Sequence, residues 1–69
     1  MTEFRTLRET LGWSIIQTAE ALDRSWRYVK ELDVGDKQPH PHTLALMRTW
    51  AAPWFPADRR PQPGRKDAA

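Results

Sequence analysis

Apolar residues recur along the first fifty positions at helical spacing, and no stretch keeps the strict alternation of a half-buried strand. In TEFRTLRETLG, Phe4, Leu7 and Leu11 fall at i, i+3 and i+7, with Arg5, Arg8 and Glu9 elsewhere. The pattern predicts an amphipathic helix with Thr2 as its N-cap and Gly12 as its stop. SIIQTAEAL restarts the pattern. Ser14 is followed three residues later by Gln17, a capping-box spacing, and Ile15, Ile16, Ala19 and Leu22 supply the apolar side. Asp23 tolerates the left-handed conformation better than most non-glycine residues and suits a tight turn. Ser25 can cap a third helix over Trp26–Val34, closed by Gly35. DKQPH reads as a loop, and Pro41 fits the first position of a fourth helix that runs through HTLALMRTWAA to Pro53. There Leu44, Met47 and Ala51 share one face while Leu46 and Trp50 lie on another. PWFP can fold back as an apolar clasp. The expected architecture is all-α, a compact domain of four to five helices.

The third helix raises the question of which side faces out. At about 100° per residue, Val29 and Leu32 lie some 60° apart and are the only aliphatics able to anchor an inner face. Relative to their midpoint, Arg27 points almost directly outward. Lys30 and Glu31 lie about 130° to either side, with Trp26 and Tyr28 on the flanks at about 90° and 70°. A plain solvated face, with Glu31 pairing Arg27 at i+4, is one account of these charges.

Composition changes the picture little. The chain has 69 residues and no cysteine, which allows one small domain without disulfide or thiolate support. The net charge is +2, and the basic excess sits in PADRRPQPGRKDAA. There Arg59, Arg60, Arg65 and Lys66 outnumber Asp58 and Asp67, while residues 1–55 are neutral. Any nucleic-acid signal must therefore come from arrangement, since bulk charge does not supply it. No apolar run reaches the roughly 18 residues of a membrane span, and the polar N-terminus is unlike a signal peptide. A cytoplasmic protein with residues 1–55 as its ordered domain and 56–69 as a disordered tail is the expectation.

A short helix capped by Ser14, a turn at Asp23 and a second helix capped by Ser25 form a helix-turn-helix. Ala19 is small where the two helices must approach, ten residues before Val29 and thirteen before Leu32. Over about residues 4–52, the chain resembles the Cro and lambda-repressor-like family of phage and bacterial regulators. The resemblance is carried by LGWSIIQTAEALDRSWRYVKELDVGDKQP, with Ala19, Leu22, Val29 and Leu32 at the motif's small and apolar positions. ELDVGDKQP is similar to the family's exit from the recognition helix, and HTLALMRTWA to its next helix. Four positions depart from the pattern: Ile15 stands for a phosphate-touching Gln, Asp23 for a turn glycine, Arg24 for an apolar turn residue and Asp33 for a common Glu.

The resemblance implies a major-groove reader. Ser25, Trp26, Arg27, Lys30 and Glu31 then occupy positions that meet bases or nearby phosphates. Arg27 is the first choice for guanine, whose O6 and N7 match its planar fork. Glu31 accepts from cytosine N4 or orients Arg27, and Lys30 suits a phosphate. Trp26 either packs on DNA or forms a core edge or dimer contact. Gln17, Arg24, Tyr28 and Lys37 are the expected phosphate contacts, which position the protein without reading sequence. Trp13 falls at an apolar family position and is expected in the core. His40 and His42 have no third ligand nearby, so no metal or other cofactor is expected, nor a small-molecule ligand.

The second apolar face of the fourth helix, with Trp54 and Phe55, exceeds what a monomer of this size should leave exposed. It predicts a homodimer through Leu46, Trp50, Trp54 and Phe55 that reads a palindromic operator. The tail is either a phosphate-binding arm or a solubilising end. The resulting expectation is a small repressor of a phage or mobile-element operon, Cro-like or anti-CRISPR-associated. The alternative is an antitoxin or other interaction module whose tail binds a partner protein. An enzyme is not expected, because no nucleophile–His pairing or phosphate loop is recognisable.

Overall fold

The computed structural model describes residues 2–63. Four α-helices follow in order: α1 over Glu3–Leu11, α2 over Ile15–Leu22, α3 over Trp26–Val34 and α4 over Pro41–Ala51. A 3-10 turn over Ala57–Arg59 comes last, and no strand occurs among the described residues. None of these helices is long and apolar enough to cross a membrane.

The helix boundaries are set by local chemistry. Thr2 Oγ1 accepts from the Arg5 amide at 3.0 Å and starts α1. Ser14 and Gln17 form the reciprocal capping box of α2: Oγ of Ser14 accepts from Gln17 N, and Oε1 of Gln17 accepts from Ser14 N. Ser25 caps α3 through the Tyr28 amide. The Nδ1 atom of His40 does the same for α4 through the His42 amide. α1 ends in a left-handed residue, Gly12 at φ 76°, and the amides of Gly12 and Trp13 turn back onto Glu9 O and Arg8 O. α2 ends the same way on Asp23 at φ 58°, with Asp23 N on Glu20 O and Arg24 N on Ala19 O. An aspartate thus fills the place usually given to glycine, at some backbone cost.

α1 packs against α4 and α3, while α2 packs against α3. Phe4, Ala19, Val29, Leu32, Met47 and Trp50 form the core where they meet. Each fully buried large side chain contributes about 1.5–3 kcal/mol relative to exposure. Trp13 and Trp50 meet edge to face, with ring centroids 5.7 Å apart.

Two expectations need correction. Ile16 does not join the inner side of α2 and is 63% exposed. Ile15 packs against the core, and Ile16, about 100° further round α2, lies outside the covered side. Thr18 takes an inner place instead, its hydroxyl donating to Ser14 O at 2.8 Å so that no polar atom is stranded. On α4, Trp50 is only 9% exposed and belongs to the core, while Leu46 and Phe55 are partly buried against it. The apolar face expected to meet a second copy is therefore largely covered within the chain, by Trp13 and the returning segment. Trp54 alone of the four proposed interface residues stays open, at 73%. Past Pro56, the described residues carry one further short element. The 3-10 turn is closed by Arg59 N on Pro56 O and Arg60 N on Ala57 O, and Arg60 is half-buried. Arg65, Lys66 and Asp67 of the expected tail lie outside the described residues.

Candidate nucleic-acid interface

The orientation of α3 is fixed from both ends of its inner face. Val29 and Leu32 are fully buried, and Asp33 beside them is buried as well. Asp33 receives Arg8 in a forked contact, Nε to Oδ1 at 2.7 Å and Nη2 to Oδ2 at 3.4 Å. The third nitrogen of Arg8 donates to Trp13 O at 2.7 Å, and Thr2 Oγ1 donates to Asp33 O at 3.0 Å. α1, the α1–α2 joint and α3 are thereby tied through one guanidinium. Position alone placed Arg8 on the polar side of α1, and a contact spanning 25 residues has no local signature.

With that inner face locked, Arg27 and Lys30 point to solvent. The ion pairs among the described residues join Arg5 to Glu9 and Asp33, Arg8 to Asp33, Lys37 to Glu31, and Arg48 to Glu3. Arg24, Arg27 and Lys30 take part in none of them. Ser25 is exposed at the helix start, where its Oγ is the cap acceptor. Glu31 differs from expectation. It is half-buried and pairs with Lys37 Nζ at 3.4 Å, without reaching Arg27. The same ammonium sits 5.8 Å from the centre of the half-buried Tyr28 ring. Lys37 is held over the exit of α3 in this way, and Glu31 serves its positioning more directly than base readout. Gln17 is half-buried with its carbonyl engaged in the capping box, so only its NH2 group is left to donate outward.

Trp26 is 56% exposed and takes no place in the core. It lines a shallow cleft of about 360 Å³ with Ile15, Ile16 and Lys30, between the start of α2 and the outer edge of α3. On the other side of α3, a larger open cleft of about 700 Å³ runs between the α2–α3 turn and the start of α4. Arg24, Ser25 and Tyr28 line it opposite His40 and His42. The His40 ring is occupied in capping α4. Among the described residues, no group of three or more His, Cys, Asp or Glu is placed to hold a metal.

The residues expected at bases and phosphates thus divide between the two sides of α3, Trp26 and Lys30 by the smaller cleft and Arg24, Ser25 and Tyr28 by the larger, while Trp50 is inside. Ile16, beside Trp26 in the smaller cleft, is the residue that the sequence reading missed. The sequence carries no local signal for it, since adjacent residues of α2 such as Thr18 and Ala19 are both buried. No protein-family model, curated protein or solved structure matches the chain.

Proposed function

We propose that the chain is a sequence-specific double-stranded DNA-binding regulator of the Cro and lambda-repressor-like kind. In this reading it represses a phage or mobile-element operon, either as an autorepressor or in an anti-CRISPR-associated role, in the cytoplasm. The observation that carries the reading is the outer edge of α3. Arg27 and Lys30 stand there without an acidic partner among the described residues, at the end of a helix-turn-helix whose inner face is locked. A second helix held in this way suits the major groove, with its N-terminal residues at base edges.

In this reading Arg27 reads guanine, and Lys30 and Arg24 meet phosphates. Lys37, held by Glu31 and Tyr28, supports the phosphate path at the helix exit. In this reading the chain binds as a two-fold homodimer to half-sites about one helical turn apart. Trp54 is the side chain left to contribute to such a contact.

The test is binding to DNA upstream of the chain's own gene, with Arg27→Ala beside wild type. A site-specific complex weakened by Arg27→Ala is expected. A specific complex whose affinity and preference Arg27→Ala leaves intact overturns the base-readout role, and the absence of any specific complex overturns the function.

A second reading is favoured by the exposed Trp54. An antitoxin or other interaction module would use Trp54 and the Pro-rich segment after it to hold a partner protein. A stable complex with the product of an adjacent gene, unaffected by Arg27→Ala and lost on Trp54→Ala, would favour that reading.

A further inference from the structure

The cleft formed by Ile15, Ile16, Trp26 and Lys30 is not explained by folding. Ile16 and Trp26 are large apolar side chains, 63% and 56% exposed, on two successive helices. The cleft walls are almost wholly carbon, and Lys30 is the charged residue among those lining it. Arg27 stands next to Trp26 on the same helix and is also exposed. Glu20, one turn along α2 from Ile16, does not line the cleft.

These features narrow what can occupy the cleft. A second copy of the chain would bring another Arg27 and Lys30 against the first pair, placing like charges together. A polyanion that also presents small apolar groups satisfies both the cations and the carbon walls. Double-stranded DNA does so in its major groove, where thymine differs from other bases by a projecting 5-methyl group.

We infer that Ile16 and Trp26 form a seat for a thymine methyl group, so that the protein selects thymine next to the base that Arg27 reads. This rests on the DNA-binding reading above and adds a specificity element to it. The contact needs no hydrogen bond from the base. Thymine and uracil present the same acceptors and differ only in the methyl. Lys30, at the cleft edge, meets the adjoining phosphate.

Selection of binders from double-stranded DNA with a randomised core of about 20 base pairs supplies the probe. Each thymine of the selected duplex is then replaced in turn by uracil. At one or two positions per half-site, wild-type protein should bind the uracil duplex about fourfold more weakly, the factor corresponding to one CH2 group at ~0.8 kcal/mol. With Ile16→Ala or Trp26→Ala the same replacement should change binding by less than about twofold. Both side chains are exposed, so both variants should melt as wild type does. Arg27→Ala should lower affinity while preserving the thymine-to-uracil ratio.

Uracil tolerated at every position by wild-type protein, with a selected sequence in hand, overturns the methyl seat and leaves the DNA-binding reading standing. Failure to select any sequence removes both. Light scattering on DNA-free protein gives the remaining outcome. A dimer that Trp26→Ala converts to monomer would assign the cleft to a second copy and overturn the inference.

Discussion

On its inner side, α3 carries a charge that is closed in. Asp33 is bound by Arg8 through two nitrogens, while the third nitrogen of Arg8 is spent on the Trp13 carbonyl. On its outer side, Arg27 and Lys30 face water with no acid to meet them among the described residues. Nine residues therefore hold two opposite uses of charge. The inner pair has each guanidinium nitrogen engaged and fixes geometry. The outer pair has donors in reserve and can only gain by meeting something anionic. Stability and binding should therefore separate cleanly by face.

The hardest test of that separation is Asp33→Ala. It leaves the Arg8 charge in the interior without its carboxylate, which costs about 3–5 kcal/mol. A chain of this length has total stability of that order, so urea unfolding should show a largely unfolded or severely weakened protein. Replacing both partners with apolar residues, Arg8→Met with Asp33→Leu, should cost much less. If the double variant is no better than the single one, the Asp33 contact is not the source of the loss.

The two C-terminal tryptophans give the next contrast. Trp50→Ala empties part of the core and should cost about 3–5 kcal/mol. Trp54→Ala should stay within about 0.5 kcal/mol, as open surface substitutions do. Equal unfolding midpoints for the two variants would break the distinction between a covered and an open aromatic.

Arg27→Ala should then show the outer face at work. Folding stability should stay within about 0.5 kcal/mol of wild type, while about 1–3 kcal/mol of base discrimination is lost. A large drop in melting temperature would mean that Arg27 supports the fold and is not held in reserve for a ligand.

The smallest effect concerns the exposed pair that closes α1 onto α4. Arg48 donates to both oxygens of Glu3, at 2.6 and 2.8 Å. This contact holds the Glu3 carboxyl below its ordinary value and raises Arg48 above its own. Because the native carboxyl binds its proton less readily than the unfolded one, stability from this pair is present above about pH 4.3. It is lost as pH falls through the lower native value. Urea midpoints of wild type and Glu3→Gln should differ slightly at pH 6 and converge near pH 3. A gap that stays constant with pH would show that the charge of Glu3 contributes nothing.

Much of the helical layout was legible because caps act within a few residues. Ser14 with Gln17, Ser25, Gly35 and the left-handed Asp23 each decide a boundary through bonds to their own neighbourhood, and Pro41 fits the first turn of α4 because it has no N–H to leave unbonded. The outward direction of Arg27 and Lys30 was legible too, since Val29 and Leu32 leave α3 one way to face. Glu31 was harder. Its partner Lys37 lies beyond the end of the helix, so helical spacing pointed to Arg27 instead. Ile16 and Trp50 escaped for a related reason. Period shows that apolar residues share a face, but not which of two faces the rest of the chain will cover.

The sequence by itself determined where each helix begins and ends, and which side of α3 carries the free cations, because short-range hydrogen bonds and helical period suffice for both. Only the tertiary structure decided that Arg8 reaches Asp33, that Trp50 turns inward to meet Trp13, and that Ile16 is left outside beside Trp26. Those outcomes depend on how distant elements compete for one small interior. A core formed around six buried apolar side chains cannot take every apolar residue that local spacing offers it.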